Sequence, residues 1–177
     1  SGQCNVAILS IDDFYLTKAE RLQRAESIHP LLATRGVPGT HDISMLHDCL
    51  SWLRALKAGQ RCRLPRFDKA ADDRADEASW PAVSGPVDLV ILEGWCVGSV
   101  AEGEAGLETP VNELETTRDA DGRWRRYANE LLATDYADVF DGLDALVFLQ
   151  APGFDAILRW RVEQEQKLAA AAGTNGA

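Results

Sequence analysis

Apolar residues follow two rhythms along the chain. Three short runs are almost continuously apolar: "NVAILSI" (5–11), "VDLVILEG" (87–94) and "LDALVFLQ" (143–150). Runs of this kind suit strands buried on both faces, as in a parallel sheet. Between them the spacing is helical. Ile43, Leu46, Leu50, Leu53 and Leu56 share one face, as do Tyr127, Leu131 and Leu132 within "RWRRYANELLATDYADVF" (123–140). "FDAILRWRVEQEQKLAAAA" (154–172) reads as a long amphipathic helix. Local signals punctuate the pattern. Thr17 and Glu20 form a capping box, Asp42 is placed to cap the next helix, and Gly59 to end it. "TRGVPGTHD" (34–42) and "KAADDRADEASWPAVSGP" (69–86) read as loops, and "RCRLPRF" (61–67) as a short strand or extended segment. Residues 96–122 look irregular, with a short helix around 111–116.

Strands alternating with helices predict one α/β domain over residues 1–177, with a parallel sheet flanked by helices. In such sheets ligands sit at the carboxyl ends of the strands. Two of the apolar runs end there in acids: Asp12 and Asp13 after "LSI", and Glu93 after "LVIL". An acid that ends a buried parallel strand just before a glycine can form half of a nucleotide-phosphate site, where it holds or orients magnesium.

Composition narrows the function. With 46% apolar and 26% charged residues the chain is ordinary globular protein. Its 18 Lys and Arg against 28 Asp and Glu give a net charge of −10. That disfavours non-specific binding to nucleic acid or anionic membranes, but not a small anion read by local charge. There is no membrane-spanning run and no secretory signal pattern. Cys4, Cys49, Cys62 and Cys96 show neither C-x-x-C pairing nor metal-ligand spacing with His29, His41 and His47, so four free thiols in a reducing cytoplasm are expected. Both ends read as cut: the chain begins with Ser1 just before a strand and stops in "AAAAGTNGA".

Each candidate residue has a plain structural reading beside a chemical one. Asp12 and Asp13 can be turn residues; because neighbouring residues at a strand end point apart, one can instead face the cleft and accept a hydroxyl proton. Glu93 can be satisfied by backbone amides or by a cation. Arg61, Arg63, Arg66, Lys69 and Arg74 can be a solvated face, or a cluster that holds a carboxylate inside an acidic chain. Arg159 and Arg161 can pair with Glu163 and Glu165 along their helix, or bring guanidinium groups onto a transferred phosphate. His41 is a loop histidine able to touch substrate.

The ordered segments "SIDDFYLT", "RGVPGTHD", "LPRFDKAADDR", "LVILEGWCVG", "VNELE", "WRRYANELL" and "WRVEQEQKL" together resemble the D-glycerate 3-kinase family and its kinase-like relatives. That group looks like a branch of the phosphoribulokinase, uridine kinase and pantothenate kinase superfamily of P-loop kinases. The resemblance covers nearly the whole chain. It implies a P-loop NTPase-like fold, ATP and Mg2+ as cofactors, and a small-molecule acceptor, D-glycerate foremost. It puts Asp12 at the base position and beside the metal, with Glu93 as the Walker-B-like acid. Asp13 falls where relatives carry Ser, Ala or Gly, as a supporting acid. Tyr15, Arg35, His41 and Asp42 would border the acceptor, with Arg66 and Arg74 anchoring it. Asp72 stands where uridine kinases carry a histidine, which counts against a nucleoside. Arg159 and Arg161 would be lid arginines on the phosphates.

One departure is large. The family's G-x-x-x-x-G-K-[ST] loop is absent, and no Gly-Lys pair occurs in the chain. The expectation is that a first strand, the phosphate loop and its helix precede Ser1, and that this chain alone does not turn over. Two rivals stay open: a nucleoside or pantothenate kinase, and a non-catalytic binding module derived from a kinase.

Overall fold

The computed structural model describes residue 2 and residues 4–174, apart from the side chains of Glu165 and residues 168–174. The expected partnership of Glu165 therefore lies outside the described residues. The chain divides into two units, Ser1–Leu143 and Asp144–Ala177. In chain order the first contains β1 (Val6–Ser10), α1 (Lys18–Ser27), α2 (Ile43–Ala55), β2 (Arg61–Arg63), β3 (Phe67–Asp68), β4 (Asp73–Arg74), β5 (Ala82–Ser84), β6 (Leu89–Glu93), α3 (Glu104–Leu107), α4 (Glu113–Arg118), α5 (Arg123–Ala133) and α6 (Asp135–Phe140). The second contains α7 (Phe154–Thr174).

β1 and β6 are the two apolar runs paired in parallel, from Val6 opposite Leu89 to Ser10 opposite Glu93. Ala7 and Leu9 join Leu46, Leu50 and Leu53 of α2 and Tyr136 and Val139 of α6 in one core. Each fully buried Leu or Ile there contributes about 1.5–3 kcal/mol. Among the described residues only one face of the pair is covered. Val6, Ile8, Leu89 and Ile91 remain 37–57% exposed, so burial on both faces is corrected to burial on one.

The helix-start signals hold. Thr17 Oγ1 accepts from the Glu20 amide at 3.3 Å, and the Thr17 amide donates to Glu20 Oε2 at 2.8 Å. Asp42 Oδ1 accepts from the Met45 amide at 3.0 Å and starts α2. Caps of this kind stabilise by about 1 kcal/mol. The short helix expected near 111–116 is α4, capped by Asn112, whose Oδ1 accepts from the Glu115 amide at 2.9 Å. α2 ends at Ala55, and Gly59 instead makes the turn into β2.

Three further expectations change. "LDALVFLQ" is not a strand: Leu146, Val147, Phe148 and Leu149 are 58–89% exposed and pair with no strand among the described residues. Apolarity favours a strand only where a ladder partner satisfies its backbone. The 69–86 "loop" contains β4 and β5, which pair antiparallel with β3 and β2. Strands of two or three residues carry no readable alternation, so remote pairing decides them. The helix expected over 123–140 breaks at Thr134 (φ −121°, ψ −96°) into α5 and α6.

Candidate active site

β1 runs into a single 3-10 turn, Ile11–Phe14, which holds both aspartates at the carboxyl edge of the parallel pair. Gly94 lets the end of β6 approach that turn. A Cβ there would lie 2.3 Å from Ile11 Cγ2, so no side chain fits.

Asp12 and Asp13 point apart, as adjacent strand-end residues should. Asp13 faces the β3–β4 hairpin: its Oδ2 accepts from Arg66 Nη1 at 2.9 Å and its Oδ1 from the Phe67 amide at 3.1 Å. Asp12 has a different pair of donors. Its Oδ1 accepts from Tyr15 Oη at 3.0 Å and its Oδ2 from Lys69 Nζ at 2.7 Å. Tyr15 is buried, stacked on His41 (centroids 4.4 Å apart) and edge-on to Phe67 (5.4 Å). Burial first, then the Asp12 charge, holds its phenol well above the usual range, so it remains a donor.

The hairpin supplies the cations and the strand-end loops supply the acids. Arg66 meets Asp13, Lys69 meets Asp12, and Arg74 Nη2 meets Asp42 Oδ2 at 3.1 Å and the Tyr15 carbonyl at 3.4 Å. The hairpin tip is itself clamped. Asp72 adopts φ +56°, an uncommon conformation for a residue with a side chain. Arg21 Nη2 lies 2.7 Å from its Oδ2, and Arg35 Nη1 donates to its Oδ1. Arg35 Nη2 also reaches the Lys69 carbonyl at 3.4 Å. Desolvation would raise the Asp72 carboxyl, but the hydrogen bonds and charges of Arg35 and Arg21 outweigh it and hold it below the usual range.

His41 sits behind Tyr15, 2% exposed. Its Nδ1 is 2.7 Å from Tyr136 Oη, which accepts from the Gly39 amide at 3.0 Å. The fullest pairing has Tyr136 donate to Nδ1, which leaves the imidazole hydrogen on Nε2, buried without a hydrogen-bond partner. Gly39 (φ +97°) permits the approach; a Cβ there would lie 2.8 Å from the Tyr127 ring. Burial depresses His41 to about 4, partly offset by Asp12. The unfolded chain therefore takes up this proton first. Stability should fall as pH drops from about 6.5 to about 4, by roughly 3 kcal/mol, and this contribution levels off below that. Urea unfolding across that range should show a gentler slope for His41→Gln than for wild type; equal slopes would refute the assignment. Asp72 and Glu20, also held low, lose stability as pH falls through their folded values in both proteins and cancel in the comparison.

Glu93 ends β6 with an exposed side chain that makes no hydrogen bond or ion pair among the described residues. That free carboxylate suits a magnesium ion, which takes one or two carboxylates and completes its shell with water and phosphate. Both oxygens of Asp12 are already hydrogen-bonded, so it fits a metal less readily. Arg159 and Arg161 lie on α7 of the second unit, where Arg161 Nη1 donates to Gln164 Oε1 at 2.9 Å. Of the sequence candidates, Asp12, Asp13, Tyr15, Arg35, His41, Asp42, Arg66, Asp72 and Arg74 are joined in one contact network. Sequence reasoning missed the Lys69–Asp12 contact, the buried Arg21 and the Tyr136 support of His41. Lys69 had a signal, as one member of a basic cluster; Arg21 and Tyr136 had none.

No family model matches the chain. Individual relatives do. It is 32% identical to an uncharacterized kinase, mug58, of Schizosaccharomyces pombe, over 94% of this chain and 61% of that protein. It is 32% identical to the chloroplastic D-glycerate 3-kinase of Arabidopsis thaliana, over 90% of this chain and 34% of that one. The solved D-glycerate 3-kinase of Cryptococcus neoformans superposes with a TM-score of 0.77 at 29% identity, covering 96% of this chain and 62% of that one. The chain thus spans between about a third and three fifths of the length of these relatives. No helix among the described residues is long and apolar enough to cross a membrane. In sequence over most of its length, and in fold, the chain is a homologue of D-glycerate 3-kinase and the kinases related to it.

Proposed function

We propose that this chain forms the acceptor side of an ATP-dependent kinase that phosphorylates a hydroxyl of a short hydroxy acid, D-glycerate foremost. The observation that carries the reading is Asp12: a strand-end carboxylate held on one oxygen by a buried tyrosine and on the other by an exposed lysine, beside a cationic hairpin. In the transfer, the acceptor oxygen attacks the γ-phosphorus. The bond from that phosphorus to the β,γ-bridging oxygen breaks, ADP leaves, and the hydroxyl proton passes to Asp12. Tyr15 orients Asp12, and Asp13 with Arg66 fixes the hairpin beside it. Arg35, Asp72 and Arg74 border the acceptor, with Arg66 and Arg74 as anchoring groups; His41, expected beside them, backs the Tyr15 ring instead. Glu93 would hold magnesium, which supplies charge neutralisation on the phosphates. Arg159 and Arg161 act as phosphate clamps. The four free cysteines suit a reducing compartment such as the cytoplasm.

The clamping of Asp72 by two arginines disfavours a nucleoside reading, because its carboxylate is already engaged. A coupled ADP-release assay, run on a form that carries a phosphate loop, should show turnover with D-glycerate well above that with uridine or pantothenate. Preference for either of the latter would overturn the acceptor. The 177-residue chain alone should give no ATP-dependent phosphorylation, since it holds no G-x-x-x-x-G-K-[ST] to cradle the phosphates. Measurable turnover by it would overturn that point.

A further inference from the structure

We infer that Lys69 is the group that selects an anionic acceptor, by exchanging its contact with Asp12 for the acceptor's carboxylate; the inference rests on the acceptor-side reading above. In this structure both Asp12 oxygens are occupied, by Tyr15 Oη and Lys69 Nζ. A hydroxyl about to lose its proton must bond one of them; a carboxylate has about four lone-pair sites, but an oxygen held by an ammonium is the less basic for it, so withdrawal of a donor prepares that oxygen to take the proton.

Tyr15 is poorly placed to leave. The residue is 4% exposed, its ring stacked on His41 and edge-on to Phe67, and its backbone forms an isolated antiparallel bridge with His41. Lys69 is well placed. It sits at the hairpin tip with 61% of its side chain exposed, on a flexible four-carbon stem. An ion pair that open to water holds weakly. The neighbouring cations are held in place, Arg66 by Asp13 and the Pro65 carbonyl, Arg74 by Asp42 and the Tyr15 carbonyl, Arg35 by Asp72, so that Arg66 and Arg74 can anchor as fixed groups while Lys69 is the one able to exchange. Among the described residues Lys69 makes one side-chain bond, and it makes it to an Asp12 oxygen.

A short hydroxy acid satisfies both partners of the broken pair. Its hydroxyl takes Asp12 Oδ2, and its carboxylate, a few bonds away, takes the displaced ammonium. A neutral alcohol supplies the first contact and leaves the ammonium without a counter-charge. Selection for an anion thus follows from the exchange itself, inside a chain whose net charge of −10 opposes anions at long range. The Arg35 contact to the Lys69 carbonyl fixes the backbone while leaving the side chain free to swing.

The test is an NMR titration of the 177-residue chain, read at the backbone amides of Asp12, Asp13 and Phe67. The probes are D-glycerate, lactate and glycolate, with glycerol and ethylene glycol as neutral controls. Wild type should respond to at least one hydroxy acid at lower concentration than to either neutral alcohol. Lys69→Met should weaken that hydroxy acid by about tenfold or more and abolish most of its salt dependence, with the neutral alcohols unchanged. Lys69→Arg should keep most of the affinity. Three results overturn the role of Lys69: Lys69→Met binding the acid as wild type does, acid and neutral probes weakening together, or wild type responding to no acid. If wild type binds lactate or glycolate but not D-glycerate, and Lys69→Met loses it, the D-glycerate reading falls while the role of Lys69 stands.

Discussion

In a kinase form that carries the phosphate loop, Asp12→Asn is expected to lower kcat by about a hundredfold to ten-thousandfold, the usual contribution of a positioned general base. Asparagine keeps the shape, and its carbonyl oxygen can still accept from Tyr15, so the ring stack on His41 and Phe67 should survive. What it cannot do is take the hydroxyl proton. It also forfeits the pull on Lys69, but that pair is exposed, and its loss should cost under about 1 kcal/mol. The two effects therefore separate. Urea unfolding of the variant should nearly superimpose on wild type, and KM for the acceptor should move far less than kcat. Turnover within about tenfold of wild type, with folding intact, would remove Asp12 from the base role.

The network around Asp12 shows what was legible in the sequence. The caps of α1 and α2 could be read because each joins residues three apart, as Thr17 joins Glu20 and Asp42 joins Met45. The divergence of Asp12 and Asp13 could be read because alternation at a strand end is a backbone property. Their partners could not. Arg66 lies 53 residues from Asp13 and Lys69 57 from Asp12, and the hairpin carrying them is two residues paired with two. Tyr136 meets His41 across 95 residues, from a stretch whose apolar face was read in Tyr127, Leu131 and Leu132. The misreading of "LDALVFLQ" has the opposite origin. There the local pattern was strong, but a strand also needs an edge to pair with, and apolarity does not specify one.

The same separation of scales gives α1 a function its sequence hides. "KAERLQRAES" reads as a polar surface helix, yet it buries Arg21 completely. A buried cation is tolerated only when its donors are used. Arg21 uses them on three segments: Nη1 on the Leu16 carbonyl (2.7 Å), Nε on the Ala33 carbonyl (3.3 Å), and Nη2 on the carbonyl and carboxylate of Asp72 (3.1 and 2.7 Å). Its guanidinium also lies over the Phe67 ring, 5.6 Å from the centroid. One side chain therefore ties the end of the Asp12 turn, the 30–33 turn and the hairpin tip together.

Arg21→Met is accordingly expected to cost roughly 3–5 kcal/mol of stability, a large share of the roughly 5–15 kcal/mol available to a domain. Methionine keeps much of the volume, so the loss isolates hydrogen bonding and charge from packing. Its main source is the Leu16 and Ala33 carbonyls, left without their donor. Asp72 suffers less, because it keeps Arg35 and a third of its side chain reaches water, which places the expectation toward the lower end of the range. Asp72→Asn should for that reason cost less than Arg21→Met. Denaturant midpoints for the two variants decide it. A change of under about 1 kcal/mol for Arg21→Met, or a larger one for Asp72→Asn, would mean that the hairpin is held by its surface ion pairs rather than by the arginine beneath it.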